Sequence, residues 1–517
     1  MRKEFSAICL LLTSFLLFPA MAKAAVFTVT RSDDRNNMTC VLGDCSLREA
    51  IKNANNAAGS DTINFAAGVT SIPLTSALPD VSSTVSIQGG SGVTVSGNKT
   101  ISTFRPFHVV GVGNLTLDKI TVRNGKETVG GGLWNEGATA TLTNCTFTGN
   151  EATTDAGGIY NTGSAGTMTI SNSVITVNSA VSNGGGIRNG GTLTIIESTV
   201  GSNSSNVMGS TLANSNGGGI YNVGFLTVIR STVSGNITAG NGGGIHNSAV
   251  SAVKIINSTI SSNSAFQGTG GGVYDIGAGT TVTNATIASN VATVGSGFYN
   301  ESSRNSFLRN TIVADNTGGA STSDVFGPFN NSFNNLIGKS DNSTGLVNGA
   351  NGNIVGTIAA PVDPMIMSLA NNGGATQTHK LKSGSQAINA GGNALALDEN
   401  NQPLTTDQRG AGFPRINDGT VDIGAFESSS PTAASVSIGG QVTTATGRGV
   451  SSARIVLTDS RGNQSFAMTN PFGFYRFKEV PAGETYIVEV KHKRYVFAAQ
   501  VVSLTEDFGD LNFTAQP

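Results

Sequence analysis

The residues best suited to bind a ligand in this 517-residue chain form a recurring aromatic series. A repeated segment occurs seven times, and the residue just before its first Asn or Asp is in turn Trp134, Tyr160, Arg188, Tyr221, His246, Tyr274 and Tyr299. Aromatic faces in a line can stack on sugar rings, but cross-strand aromatic pairs also stabilise sheets without a ligand. The pattern therefore predicts a candidate glycan-binding stripe formed by the Trp and Tyr members, with a purely structural role as the alternative.

Acid–base catalysis on a polysaccharide needs carboxylates close together, usually beside an Arg or Lys. Glu136 and Glu301 are the only acids in the position that follows the recurring Asn, and six copies of the repeat separate them. That separation is about 29 Å at the spacing of stacked strands, which excludes cooperation. Glu197 and Arg230 occupy one equivalent position in adjacent copies. We favour an exposed ion pair, worth about 0–1 kcal/mol, over a catalytic couple.

Metal-binding patterns are weak in this sequence. The four histidines are His108, His246, His379 and His492. They are too scattered for a zinc site, and no HExxH motif occurs. The densest charged cluster is Asp407, Arg409, Arg415, Asp422 and Glu427. We interpret it as ion pairs that close the end of the repeat, with a calcium site or an active site as the alternative. No catalytic residue, metal or cofactor is otherwise predicted.

The repeat that carries these residues predicts a right-handed parallel β-helix. Its first Asn or Asp recurs at residues 135, 161, 189, 222, 247, 275 and 300, and a second Asn at 150, 178, 203, 236, 263, 290 and 316. Such a period without a helical pattern is typical of stacked coils, since one unit cannot bury its apolar face alone. Parallel strands joined in this way cross over right-handed in about 98 % of cases.

Each part of the unit has a predicted place in that fold. Alternation directs Leu193 and Ile195 inward and Thr194 outward. The glycines of "NGGGIYN" at residues 216–222 suit corners that need a positive φ or a close backbone approach. The recurring Asn side chains are expected to hydrogen-bond as ladders between coils. A further outward column is interpreted as ordinary sheet surface: Thr146, Thr199, Thr232, Thr259 and Thr286.

Features near the N-terminus predict a cover for the first coil, whose open edge would otherwise recruit other strands. In "CSLREAIKNANNA", Ser46 and Glu49 fit a capping box, and four apolar residues share one helical face. Cys40 and Cys45 are expected to form a small disulfide loop in an oxidising compartment, with two buried thiols as the alternative.

Composition divides the chain into six predicted segments. These are a signal peptide at 1–24, an N-terminal cap at 25–60, the parallel β-helix at 61–345, its closing region at 346–427, a linker at 428–435 and a small β-sandwich at 436–517. The first has basic residues, an apolar run and a small-residue cleavage site, so we expect the protein to be secreted or on the cell surface. No segment of the mature chain is long and apolar enough to span a bilayer.

Several segments resemble known families. "CSLREAI" at Cys45–Ile51 resembles the motif of the CSLREA domain of bacterial secreted β-helix proteins, and "DQRGAGFPRINDGTVDIGAFE" at Asp407–Glu427 is similar to their closing segment. The GGGI and "FTGN" elements resemble the repeats of chlamydial polymorphic outer membrane proteins. Residues 436–517 are similar to the carboxypeptidase regulatory-like, transthyretin-type domain, whose relatives carry no catalysis of their own. The resemblance implies a surface or extracellular protein and no particular reaction.

These patterns favour a non-catalytic, secreted or surface β-helix protein with a role in adhesion or in binding glycans or matrix components. The alternative is a polysaccharide-active enzyme of the lyase type. A formal net charge of −2 and the lack of a basic stripe argue against a nucleic-acid partner. The expected partners are therefore polysaccharides or surface components.

Overall fold

The computed structural model describes residues 23–37, 39–100, 103–206, 215–248, 250–301, 306–319, 323–428, 435–459, 462 and 464–516. Nearly all of the predicted signal peptide lies outside these residues. The chain divides into two compact units, residues 1–427 and 428–517. In the described ranges, no helix is both long and apolar enough to cross a membrane.

The first unit is a parallel β-solenoid whose coils contribute to three sheets. The 21-stranded long sheet contains Val26–Val29, Ser60–Phe65, Ser71–Pro73, Thr84–Ser96, Asn114–Arg123, Thr139–Thr143, Thr146–Thr148, Thr167–Ser171, Val174–Thr176, Thr192–Ile196, Thr199–Gly201, Phe225–Ile229, Thr232–Ser234, Ala252–Ile256, Thr259–Ser261, Gly279–Thr283, Thr286–Ala288, Phe307–Arg309, Ile312–Ala314, Leu336–Ile337 and Ile354–Val355. The ten-stranded aromatic face contains Phe107–Val110, Leu133–Glu136, Ile159–Thr162, Ile187–Asn189, Ile220–Asn222, Ile245–Asn247, Val273–Asp275, Phe298–Asn300, Val325–Pro328 and Asn342–Thr344. The seven-stranded short face contains Lys126–Glu127, Glu151–Ala152, Ser179–Ala180, Ser204–Ser205, Ile237–Thr238, Ser264–Thr269 and Val291–Val294.

The prediction of an all-β chain with a parallel β-helix followed by a β-sandwich is confirmed. Leu193 and Ile195 are buried in the core, and Thr194 between them is only half-buried on the outside. The parallel strands run from Val26–Val29 to Ile354–Val355, beyond the predicted limits of residues 61 and 345. The observed start lies before the predicted one because the helix Leu47–Asn56 interrupts the first coil. The repeat period is therefore not visible in that part of the sequence.

That helix, Leu47–Asn56, covers the start of the solenoid as predicted. The Ser46 hydroxyl accepts a hydrogen bond from the Glu49 N–H at 3.2 Å, and Glu49 Oε2 accepts one from the Ser46 N–H at 2.9 Å. This reciprocal pair is the capping box. Leu47 and Ala50 are fully buried in the solenoid core.

The remaining residues of the "CSLREA" motif hold the cap in place. Arg48 pairs with Asp34 at 2.7 Å and donates to the Ser76 carbonyl at 2.9 Å, which ties the helix to two separate loops. A disulfide joins Cys40 to Cys45. The motif thus acts in folding, since its side chains are committed to capping, burial and ion pairing.

The corner glycines meet two different demands. Gly217 has a φ of 65°, in the left-handed region that disfavours other residues. A Cβ on Gly219 would lie 2.7 Å from the Gly244 carbonyl oxygen of the next coil, closer than packing allows. Successive coils can therefore approach at this corner only where the side chain is absent.

A second corner places one residue of every repeat in the left-handed region. The φ angles lie between 45° and 54° at Asn144, Asn172, Glu197, Arg230, Asn257, Asn284 and Asn310. Asn tolerates this conformation better than most residues, which explains its recurrence. Glu197 and Arg230 are the strained exceptions, and at these two positions the chain holds charge where backbone geometry favours Asn.

Two ladders of buried Asn side chains run along the solenoid. In the first, each Asn Nδ2 from Asn135 onward donates to the Oδ1 of the next coil at 2.7–2.9 Å, and the run reaches Asp275. In the second, the run from Asn150 to Asn316 does the same at 2.9–3.0 Å. Asn316 then donates to Asp324. Neighbouring side chains of a ladder therefore bond one another, and they also bond backbone groups such as the Val122 carbonyl, which accepts from Asn150 Nδ2 at 3.1 Å.

Asp324 ends the second ladder with a carboxyl group in the place of an amide. Its Oδ1 accepts from the Asn316 backbone N–H at 2.8 Å and from Asn316 Nδ2 at 3.0 Å. Its Oδ2 is buried and has no hydrogen-bond partner among the described residues. Burial raises the pKa of Asp324 to about 6, because a charged carboxylate is poorly solvated there.

The parent protein is expected to lose stability as pH rises, because Asp324 is buried. Asp324→Asn should remove that loss. The ordinary pKa of 3.8 applies in the unfolded chain, so folding takes up a proton between this pH and about 6. Stability from this group is therefore complete below the lower value, is lost as pH rises between the two values, and is lower by about 3 kcal/mol once pH exceeds the higher one. Urea unfolding between about pH 4 and 8 measures the difference. The exposed Asp341→Asn change should leave the pH profile as it is, and an unchanged profile in Asp324→Asn would contradict the assignment.

Residues 363–427, which we call the strap, fold back along the outside of the long sheet. The Thr232 hydroxyl donates to the Gln377 carbonyl at 2.6 Å, and the Thr259 hydroxyl donates to Gln408 Oε1 at 2.6 Å. Two predictions are therefore wrong, namely that the closing region covers the end of the solenoid and that the threonine column is ordinary sheet surface. The closing region does not simply cap the end of the solenoid, because its polar turns match hydroxyls on the side. The threonine column is half-buried at Thr146 and Thr199 but buried under the strap further along.

Ion pairs inside the strap hold it together. Arg415 is fully buried, and its Nη2 donates to Glu427 Oε2 at 2.7 Å. Its Nη1 donates to Asn257 Oδ1 of the solenoid at 3.2 Å. Asp407 and Arg409 form a second pair at 2.7 Å. The predicted charged cluster does form ion pairs, and they lie within the strap. Arg415 then joins the strap to the side of the solenoid at Asn257, and not to its end.

The second unit is a β-sandwich with its own core. One sheet contains Ser435–Thr443, Phe474–Pro481 and Phe513–Thr514, and the other contains Arg454–Thr458, Gln464–Met468, Thr485–Lys491 and Gln500–Ser503. Ile438, Leu457, Val488 and Phe513 are buried between them. This packing of two inner faces is what the short alternating strands predict.

Candidate functional site

The aromatic series predicted from the repeat forms one continuous stack on the outside of the aromatic face. Its members, in order, are His108, Trp134, Tyr160, Arg188, Tyr221, His246, Tyr274, Tyr299 and Phe326. Neighbouring ring centroids lie 4.6–6.0 Å apart, and the Arg188 guanidinium lies 4.9 Å from the Tyr160 centroid and 5.8 Å from that of Tyr221. The structure thus brings all five predicted stripe residues into one row, and adds members at both ends.

The stack changes what the stripe can do. Rings at these distances cover one another's faces, so the interior members have no free face on which a sugar could stack. Burial raises the pKa of Tyr274 to about 12, and its phenol therefore stays a hydrogen-bond donor. Burial also lowers the pKa of His246 to about 4, which keeps that ring neutral. Glycan binding by the stripe stays a prediction, and it would have to use ring edges and hydroxyls.

A polar cluster at the start of the stack was not predicted from the repeat. His108 Nδ1 lies 2.9 Å from Asp80 Oδ1, and its Nε2 lies 3.1 Å from Glu136 Oε2. The Arg105 guanidinium lies 4.8 Å from the Trp134 ring centroid. The two carboxylates lie at opposite ends of one imidazole and do not converge on a common point. Their positions suit them to hold the first ring in place.

A lateral cleft of about 170 Å³ lies where the strap meets the long sheet. Arg230 lines it, and Arg230 Nε donates to Glu197 Oε1 at 2.8 Å, with both side chains about one-third exposed or less. The opposite wall is the strap turn that contains Asp398 and Glu399. Lys254 Nζ donates to the Glu399 carbonyl at 3.1 Å beside the cleft. The predicted ion pair therefore exists, and the fold adds two acids and a lysine around it.

Beyond the cleft the same sheet is uncovered. Thr141, Thr169, Thr194 and Thr227 are in register on adjacent strands, and all are half-exposed. Stacked strands lie about 4.8 Å apart, so the hydroxyls form a regular row on a flat surface. The cleft thus opens onto a face that offers hydrogen bonds at even spacing.

Across the described residues, no group of three or more His, Cys, Asp or Glu side chains could hold a metal ion. His379 is likewise committed elsewhere, because its Nε2 lies 2.9 Å from the Ser261 hydroxyl and its Nδ1 lies 2.7 Å from the Met367 carbonyl. The lateral cleft brings one cationic and two acidic side chains together, which are Arg230, Asp398 and Glu399.

Comparison with known proteins identifies one part of the chain. Residues 437–516 match the carboxypeptidase regulatory-like domain. This regulatory-like domain is the β-sandwich described above, and it accounts for less than half of the protein. No curated protein matches the sequence. The structure is similar to one titled "Crystal structure of pectate lyase Pel9A", at 16 % identity and a TM-score of 0.42, over 78 % of this chain and 96 % of that one.

Proposed function

We propose that the protein is a non-catalytic, exported binding protein that holds a polysaccharide chain against the long sheet at the lateral cleft. The observation that carries this proposal is the arrangement of the strap on the long sheet. The strap is an extended polar chain that binds Thr232 and Thr259 through their hydroxyls, and the cleft near Arg230 opens onto an uncovered part of the same sheet. A polysaccharide offers the same kinds of hydrogen-bonding groups as the strap does.

The charged groups of the cleft suit sugar hydroxyls. Arg230 uses only its Nε in the bond to Glu197, so its two terminal amino groups have no hydrogen-bond partner among the described residues. Sugar hydroxyls both donate and accept, and they can bind the carboxylate and the guanidinium together. Because Asp398 and Glu399 also line the cleft, we expect a neutral polysaccharide in preference to an anionic one.

Export is supported by two features of the chain. Residues 1–24 have the pattern of a signal peptide. The disulfide between Cys40 and Cys45 suits an oxidising compartment. The resemblance of the cap to the CSLREA domain agrees with a place outside the cell or on its surface.

The alternative is a polysaccharide lyase, and one observation favours it. Arg230 lines the cleft, Glu197 is bonded to Arg230, and Lys254 is bonded to the Glu399 carbonyl beside it. A base with a nearby cation is what proton abstraction requires. In this structure the carboxylate is paired with the guanidinium and the amine is bonded to a carbonyl. Because both groups already have partners, we place binding first.

The test is retention of the purified chain on insoluble neutral polysaccharides, together with an assay for chain cleavage. The double variant Glu197→Asn/Arg230→Asn restores the residue that this corner favours, so it should fold at least as well as the parent. We expect its dissociation constant to rise about tenfold, equivalent to about 1.4 kcal/mol.

A matched control is Lys99→Asn/Glu151→Gln, which removes an ion pair of similar exposure, with side chains 30 % and 32 % exposed. It also removes the contact of Glu151 with Lys126 at 3.2 Å, so it disturbs at least as much charge as the cleft variant does. Its retention should equal that of the parent. Equal retention in both double variants would refute the cleft as the binding site. Calcium-dependent cleavage that disappears in the cleft variant would replace binding with the lyase activity.

A further inference from the structure

A basic cleft lies at one end of the regulatory-like domain. Its lining differs in charge from that of the lateral cleft, which includes Asp398 and Glu399. The basic cleft has a volume of about 600 Å³ and is lined by Thr444, Ala445, Thr446, Arg448, Arg494, Tyr495, Val496, Ala515 and Gln516. None of these described lining residues is acidic. Arg448 and Arg494 are exposed, and neither forms an ion pair within the part of the domain that the structure describes. Two free guanidiniums thus face one open space.

The backbone that carries these arginines is held in place before any ligand binds. The Thr444 N–H donates to the Arg448 carbonyl at 2.8 Å, and the Arg448 N–H donates to the Thr444 hydroxyl at 3.1 Å. On the other side, the Gln516 N–H donates to the Val496 carbonyl at 2.8 Å. A fixed frame with free cationic side chains lowers the entropy lost when an anion binds.

The walls of the cleft indicate what kind of anion fits. The Tyr495 ring is stacked on His492 at 5.3 Å, and its remaining surface borders the cleft beside Val496. Ring and aliphatic surface next to hydroxyls suits a sugar, and a guanidinium binds carboxylate or sulfate with two parallel hydrogen bonds. Single-stranded nucleic acid needs successive stacking rings, and this cleft has one.

We propose that this cleft binds an anionic polysaccharide, whose carboxylate or sulfate groups pair with Arg448 and Arg494 while a sugar ring lies against Tyr495. The site is separate from the lateral cleft and takes an anionic polysaccharide in place of a neutral one. The regulatory-like domain is thus a second binding module. Because the two sites lie in different units, either can fail its test without affecting the other.

The experiment measures binding of the full chain to polygalacturonate, to a sulfated polysaccharide, to neutral dextran and to a single-stranded oligonucleotide. For Arg448→Gln/Arg494→Gln we expect at least a tenfold rise in the dissociation constant for an anionic polymer, with weaker salt dependence. The polygalacturonate and sulfated arms identify which acidic group is bound.

The control is Arg476→Gln/Lys478→Gln, which removes the same charge from exposed positions elsewhere in the domain. Its affinity should stay within about twofold of the parent, because a specific site does not depend on total charge. An equal loss in both variants would overturn the proposal in favour of nonspecific attraction. Binding of the oligonucleotide with the same sensitivity to Arg448 and Arg494 would overturn it in favour of a nucleic-acid ligand.

Discussion

Replacing Asn236 with alanine is expected to lower the free energy of unfolding by about 3–5 kcal/mol, because each buried polar group left without a partner costs about 1–3 kcal/mol. Asn236 Nδ2 donates to Asn263 Oδ1 and to the Val200 carbonyl, both at 2.9 Å. Its Oδ1 accepts from the Asn203 N–H and from Asn203 Nδ2, both at 3.0 Å. No water can replace these bonds without opening the coil.

Urea unfolding and amide hydrogen exchange together measure this effect. Stability in a solenoid is a sum of repeat and nearest-neighbour terms, so the loss of protection should be greatest in the coils next to Asn236. The control is Thr227→Ala, which removes a half-exposed hydroxyl from an earlier strand of the same coil. It should change the free energy of unfolding by no more than about 0.5 kcal/mol. A similar small change in Asn236→Ala would show that the ladder does not stabilise the coils.

Replacing Arg415 with alanine is expected to release the strap while the solenoid stays folded. Arg415 is the buried partner of Glu427, which is only 2 % exposed. Burial already raises the pKa of Glu427, and the Arg415 charge opposes that shift. Removal of one member of a buried pair costs about 3–5 kcal/mol, because the other charge is left uncompensated. The strap contacts should be the first to open.

Limited proteolysis with mass spectrometry detects that release as new cleavage within residues 363–427. Trp134 is the only tryptophan and lies in the aromatic stack, so its fluorescence reports separately on the solenoid. The double variant Arg415→Met/Glu427→Leu removes both charges and should recover much of the protection. Simultaneous loss of strap and Trp134 signals in Arg415→Ala would mean that the two parts unfold as one.

Release of the strap also bears on the proposed function. The strap occupies Thr232 and Thr259, which continue the sheet that is uncovered near the lateral cleft. A released strap would lengthen the available face and remove Asp398 and Glu399 from the cleft. The Arg415–Glu427 pair is therefore one of the contacts that keep this part of the sheet covered.

Much of the fold could be predicted from the sequence because the chain is built from repeats. Leu193 and Ile195 alternate with Thr194 because a strand has a period of two, and stacking of identical units follows because no unit buries its own core. Even the pairing of Glu197 with Arg230 follows from counting positions in adjacent copies. Each of these conclusions depends only on neighbours one coil apart, where the period itself fixes the register.

The remaining features depend on contacts that no period encodes. Gln408 meets Thr259 across 149 residues, and Arg415 meets Asn257 across 158, both from a segment without repeats. The aromatic row was visible in the chain, but whether its rings would face solvent or one another depended on side-chain rotamers chosen by packing. Local propensity and periodicity thus determine the coils, whereas the covered face, the clefts and the engaged ring faces follow from long-range complementarity that exists only in the folded protein.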